Sequence, residues 1–141
     1  MGRIIAIDYG RKRVGIATTD PSRIIATGIT TVAARDTLAF LREYAARETV
    51  DRFIVGHPKQ MDNTDSQSMI YITPFLAALR RAFPATPVEL YDERFTSVLA
   101  HKALIEGGAR KKTRRDKALV DTISATIILQ SYLERIKNTT T

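Results

Sequence analysis

Two strand-like runs near the start of the chain are separated by only a few residues, and that spacing limits the folds open to it. Arg3-Ile4-Ile5-Ala6-Ile7-Asp8 and Arg13-Val14-Gly15-Ile16-Ala17-Thr18 are joined through Gly10-Arg11-Lys12. A connection that tight between two such runs is read as an antiparallel hairpin. Ile24 to Thr30 is read as a third strand. The period then changes. Asp36 to Glu48 carries Leu38, Leu41, Tyr44 and Ala45 at helical spacing, with Asp36 as the N-cap. Arg52-Phe53-Ile54-Val55 is a short buried strand stopped by Gly56-His57-Pro58. Ser66 to Phe83 is helical, with Pro74 expected to kink or restart it. Pro87 to Tyr91 is a further strand, and Thr96 caps a helix to Leu104 that Gly107-Gly108 ends. A last helix runs from about Asp116 to Ile136. Three strands followed by alternating strands and helices predict a mixed α/β sheet with an antiparallel hairpin at its start and helices covering it.

At 141 residues the chain has the size of one domain, taken as residues 1–137 with a short tail, 138–141. Its 44% hydrophobic content is enough for a proper core. With no cysteine and only His57 and His101, thiolate and imidazole-rich metal sites are excluded. No apolar run is long enough for a bilayer, and the N-terminus lacks a signal-peptide layout, so a cytoplasmic protein without membrane attachment is expected. The 22 basic residues outnumber the 15 acidic ones, giving +7. An excess of that size points to a polyanion, above all nucleic acid. Arg11, Lys12 and Arg13 follow Asp8 directly. A denser run, Arg110, Lys111, Lys112, Arg114, Arg115 and Lys117, precedes the last helix. It reads either as an arm gripping phosphates or as a solvated loop.

Ligands in open α/β sheets collect at the carboxyl ends of strands. Asp8 ends one apolar strand and Glu93 follows another. Carboxylates from separate elements suit a hard cation such as Mg2+, which takes oxygen ligands and keeps several waters. Asp8 alone reads equally as an Asx turn before Gly10. Asp92 and Glu93 point to opposite sides if the strand persists, so at most one faces the site, and either could pair with Arg94. On the last helix, Asp121 shares a stripe with Ala118, Ala125, Ile128 and Tyr132. Asp116 shares another with Leu119, Val120, Ile123 and Ile127, so periodicity does not separate the two. Thr113-Arg114-Arg115-Asp116 has capping-box spacing, which gives Asp116 a structural role and leaves Asp121 the better ligand candidate.

Several segments together resemble the YqgF/RuvX family. They are Ile7-Asp8-Tyr9-Gly10-Arg11-Lys12-Arg13-Val14-Gly15-Ile16-Ala17, Val55-Gly56-His57-Pro58, Asp92-Glu93-Arg94-Phe95-Thr96-Ser97, Lys117 to Ala125 and Ile128 to Leu133. The resemblance covers nearly the whole chain, in order. It implies an RNase H-like fold with a five-stranded sheet, antiparallel over strands 1–3 and parallel thereafter. It further implies Mg2+- or Mn2+-dependent nuclease activity, chiefly in maturing the 5′ end of pre-16S ribosomal RNA. Asp8, Glu93 and Asp121 are then the catalytic, metal-binding acids; from their charge and placement, Arg11, Arg13, Arg94, Lys111, Lys112, Arg114 and Arg115 are the expected nucleic-acid contacts. The sequence departs from the family pattern at His57, at the glycine-free segment 59–65 and at Ser124. A branched-DNA resolvase and a non-catalytic nucleic-acid-binding module remain as alternatives. A fragment of a sugar-kinase or actin-like ATPase is disfavoured by length and by the lack of a second phosphate loop. The oligomeric state is open between monomer and homodimer.

Overall fold

The computed structural model describes residues 2–57, 67–93 and 117–139. Five strands form one sheet: β1 (Arg3–Tyr9), β2 (Arg13–Thr19), β3 (Ala26–Ala33), β4 (Val50–His57) and β5 (Val88–Asp92). Their spatial order is β3-β2-β1-β4-β5. β1 pairs antiparallel with β2, and β2 with β3; β4 runs parallel to both β1 and β5. The expected hairpin is present. Its turn is closed by a hydrogen bond from the Gly10 N–H to the Arg13 carbonyl at 3.0 Å. A Cβ on Gly10 would lie 2.5 Å from that carbonyl, so the turn requires glycine for space.

Three helices are described: α1 (Thr37–Arg47), α2 (Met69–Ala82) and α3 (Lys117–Thr139). They cover both faces of the sheet, which explains why the central strands β1 and β4 read as continuous apolar runs. On one face Ile5, Ile7, Val14, Ile16, Phe53 and Val55 pack against Leu41 of α1 and Ile72, Phe75, Leu76 and Leu79 of α2. On the other, Ile4, Ala6, Ala17, Ile54 and Tyr91 meet Ala125, Ile128, Leu129 and Tyr132 of α3. Strand alternation thus assigns even-numbered positions of β1 to the α3 face. Of the stripe expected around Asp121, Ala125, Ile128 and Tyr132 are buried; Ile127 of the Asp116 stripe is buried too.

Four local readings are corrected. Ile24 and Ile25 are 74% and 61% exposed and precede β3. The backbone N–H groups of Ser22, Ile24 and Ile25 donate to the Asp20 carboxylate, which holds these residues in a turn and delays the strand to Ala26. Asp36 makes no capping hydrogen bond, because the chain enters α1 through a 3-10 turn, Ala34–Asp36. Pro74 does not restart α2, which runs as one helix from Met69 to Ala82 with the proline inside it. The hydrogen bond a proline forfeits there would have gone to Ile70, an exposed residue of the first turn. α3 extends to Thr139, beyond the expected helix end at Ile136. The expected Thr96–Leu104 helix lies outside the described residues. Among the described residues, no helix is long and apolar enough to cross a membrane.

Candidate active site

Asp8 continues the α3-facing series Ile4, Ala6 on β1, at the point where the strand leaves the covered core. Its cross-strand neighbour on β2 is Gly15. A Cβ at Gly15 would come within 2.0 Å of the Asp121 carbonyl oxygen. Glycine here therefore lets the first turns of α3 lie directly on β2, and that contact brings Asp121 beside Asp8. Gly28 does the same one strand further out, where a Cβ would meet the Thr122 methyl at 2.5 Å. The Thr31 and Thr122 hydroxyls, 2.7 Å apart, fix the helix over β3.

The second acid arrives by the same logic from β5. Tyr91 is buried against α3, its hydroxyl 2.7 Å from that of Ser131. Glu93 is two residues on and shares that side. Gly56, paired with Tyr91 across the β4–β5 ladder, leaves the space: a Cβ there would lie 2.9 Å from Glu93 Oε1 and 2.9 Å from Ile128 Cδ1. Of the Asp92–Glu93 pair, it is Glu93 that lies on the α3 side. Asp92 is paired in register with His57.

Burial and mutual repulsion raise the carboxyl pKa values. Asp8 is pushed up to about 6, first by burial and second by the Asp121 charge. Glu93 is pushed up to about 7, by burial, then by Asp8, then by Asp92. No hydrogen bond reaches the Asp8 carboxylate among the described residues. Asp121 has a partner of opposite charge: Arg13 Nε donates to its Oδ2 at 2.8 Å. Arg13, expected on phosphates, is thus engaged with one of the acids. Arg11 and Lys12 are exposed at the turn. A pocket of about 260 Å3, lined by Gly10, Arg11, Lys12, Arg13 and Asp121, opens between this turn and α3.

As placed, no three acids or histidines among the described residues lie close enough to ligate one ion together. The donor chemistry nonetheless fits a hard divalent cation. Asp8 and Glu93 are anionic oxygen donors whose charges repel, and Gly56 leaves room for the Glu93 carboxylate. Asp121 is the member held by a competing cation. Arg94, Lys111, Lys112, Arg114, Arg115 and Asp116 lie outside the described residues. Sequence reasoning missed Gly15 and Gly56 as the residues that make room for the acids, although a glycine inside a strand is the recognised mark of close approach. It also missed a larger apolar cavity of about 480 Å3 at the other end of the sheet, lined by Ile24, Ile25, Leu133 and Ile136 among others. That cavity is remote from the carboxylates.

A family model, RuvX, described as Holliday junction resolvase, matches residues 2–135. The chain belongs to the RuvX family. This RuvX protein is 59% identical over 137 residues to a protein of Phocaeicola vulgatus named "Putative pre-16S rRNA nuclease", covering 97% of this chain and 99% of that one. A protein of the same name from Parabacteroides distasonis is 58% identical over 137 residues, covering 97% and 98%. Among solved structures, Thermus thermophilus RuvC in complex with a Holliday junction substrate superposes with a TM-score of 0.59 at 17% identity, covering 96% of both chains. The free RuvC of that organism gives 0.56 at 15% identity, covering 94% of this chain and 96% of that one. The fold is therefore RNase H-like, as the resemblance to the family implies.

Proposed function

We propose that this chain is a divalent-metal-dependent nuclease that hydrolyses phosphodiester bonds, acting in the cytoplasm to mature the 5′ end of pre-16S ribosomal RNA. The observation that carries the reading is that acids from three elements feel one another's charge: Asp121 at the start of α3 raises the pKa of Asp8 at the carboxyl end of β1, and Asp8 raises that of Glu93 beyond β5. The names of the relatives and the family support nuclease chemistry and the ribosomal substrate.

Asp8, Glu93 and Asp121 would hold Mg2+ or Mn2+, which supplies water activation and charge neutralisation at the phosphate. The remaining steps belong to the chain. Arg11 and Lys12, exposed at the β1–β2 turn, attract and seat the backbone phosphates. Lys111, Lys112, Arg114, Arg115 and Arg94, which lie outside the described residues, add further positive charge for the phosphates. Gly15 and Gly56 keep the acids at the sheet end, where substrate can reach them.

Branched DNA is the second reading, favoured by the description of the family as a Holliday junction resolvase. One experiment addresses both. Labelled pre-16S 5′ leader RNA and a four-way DNA junction are incubated with the protein, with and without Mn2+. Mn2+-dependent cleavage of the RNA, abolished by Asp8→Asn, is expected. Preferential cleavage of the junction selects the second reading. Cleavage that persists unchanged in Asp8→Asn overturns the role of the acids.

A further inference from the structure

Arg13 does two things that its position in a basic run does not foretell. Its Nε binds Asp121 Oδ2 at 2.8 Å, and among the described residues this is the only side-chain hydrogen bond it makes. Among the described residues its two terminal amino groups have no hydrogen-bond acceptor, on a side chain 42% exposed. Arg13 lines the pocket between the β1–β2 turn and α3, together with Arg11 and Lys12. Guanidinium groups bind phosphate through paired N–H donors, and the resulting bonds are stronger than those between neutral groups. The Asp121 side chain is 25% exposed, so the pair is neither buried beyond reach nor fully solvated.

The ion pair sets up a competition. Asp121 has an arginine on one of its carboxylate oxygens, and among the described residues no three acids stand in ligating proximity. Asp8, whose carboxylate lacks a hydrogen bond among the described residues, is left facing the charge of Asp121. Moving the guanidinium onto a phosphate in the adjoining pocket frees the Asp121 oxygen without leaving Arg13 unpaired. An anion and a divalent cation then bind with mutual support, because each relieves the charge that the other leaves behind.

We propose that Arg13 is a positioning residue that couples the two binding events: it holds Asp121 in the substrate-free protein and passes from Asp121 to a nucleic-acid phosphate in the Gly10–Arg13 pocket, so that a strand tightens cation binding. The inference rests on the metal-dependent reading above. By linkage, a strand that tightens cation binding must itself be tightened by the cation by the same factor.

The test is calorimetric titration of Mn2+ into wild type, Arg13→Gln and Arg13→Lys, each alone and with a saturating 12-nucleotide phosphorothioate DNA strand, corrected for Mn2+ bound by the strand itself. Arg13→Gln, lacking the competing charge, is expected to bind Mn2+ alone roughly fivefold more tightly than wild type. The strand is expected to tighten Mn2+ binding to wild type by at least as much and to leave Arg13→Gln unchanged. Arg13→Lys keeps the cation and is expected to behave like wild type in the protein-only titration. Equal Mn2+ affinity in wild type and Arg13→Gln, or an equal strand effect in both, overturns the coupling and leaves the metal site standing. Absence of Mn2+ binding to all three proteins overturns both.

Discussion

Replacing Asp8 by asparagine should make the metal-free protein more stable while removing its activity. The carboxyl at position 8 has its pKa raised from 3.8 to about 6. Each unit of such a shift is worth about 1.4 kcal/mol between the two protonation states, so ionised Asp8 costs the fold up to about 3 kcal/mol at neutral pH. Because the folded-state value lies above the unfolded one, this cost is absent below about pH 4. It grows as the pH rises from 4 to 6 and is constant above. Asparagine keeps the shape and never ionises. Its removal of charge also relieves Glu93, whose raised pKa is due in part to Asp8. Partial exposure of the site reduces the gain, and we expect about 1–3 kcal/mol at pH 7.5, a rise in Tm of roughly 3–8 °C without added metal. Thermal denaturation by circular dichroism at pH 4 and pH 7.5, in EDTA, measures it. Saturating Mg2+ should narrow the difference, since only wild type gains from binding it; at a hundredfold excess over Kd the gain is about 2.7 kcal/mol. A variant less stable than wild type at pH 7.5, or an advantage of equal size at both pH values, would refute the argument that Asp8 is held ionised against its surroundings.

Other substitutions test the architecture around the acids. Gly15→Ala forces a methyl against the Asp121 carbonyl at 2.0 Å, so α3 must lift from β2; a loss of about 2–4 kcal/mol in urea denaturation, with loss of cleavage, is expected. Gly56→Ala meets only the ends of two side chains, Glu93 and Ile128, at 2.9 Å. It should cost about 1 kcal/mol in stability yet lower Mn2+ affinity by displacing Glu93, measured by calorimetry. Mn2+ affinity of wild type should climb with pH through the range set by Asp8 at about 6 and Glu93 at about 7, then level off, because both must lose a proton to take a cation. A flat profile between pH 5 and 8 would show that these two carboxylates are not the ligands.

The sheet was legible because its signals are local. β1 and β4 are apolar on both faces, and the hairpin has a turn too short for any other connection. Where the reading slipped, a side chain outside the pattern had captured the backbone. Asp20 takes the N–H groups of Ile24 and Ile25, and no periodicity reveals that these two isoleucines are held out of the strand. The α3 stripe through Ala125, Ile128 and Tyr132 was visible in the sequence, and Asp121 with it. Its nearness to Asp8 was not, because it depends on the missing Cβ of Gly15, 106 positions away in the chain. The Arg13–Asp121 pair, with |i−j| of 108, was hidden for the same reason. A basic residue after a strand looks like a phosphate contact until the fold shows which carboxylate stands in front of it.

The claim that Asp8, Glu93 and Asp121 form one cation site is tested most directly by X-ray diffraction at the manganese edge from crystals grown with Mn2+ and a short phosphorothioate strand. An anomalous peak is expected at the carboxyl ends of β1 and β5, ligated by oxygens of Asp8 and Glu93 with Asp121 turned from Arg13 towards it. No peak there, in a protein that still cleaves nucleic acid in Mn2+, would contradict it.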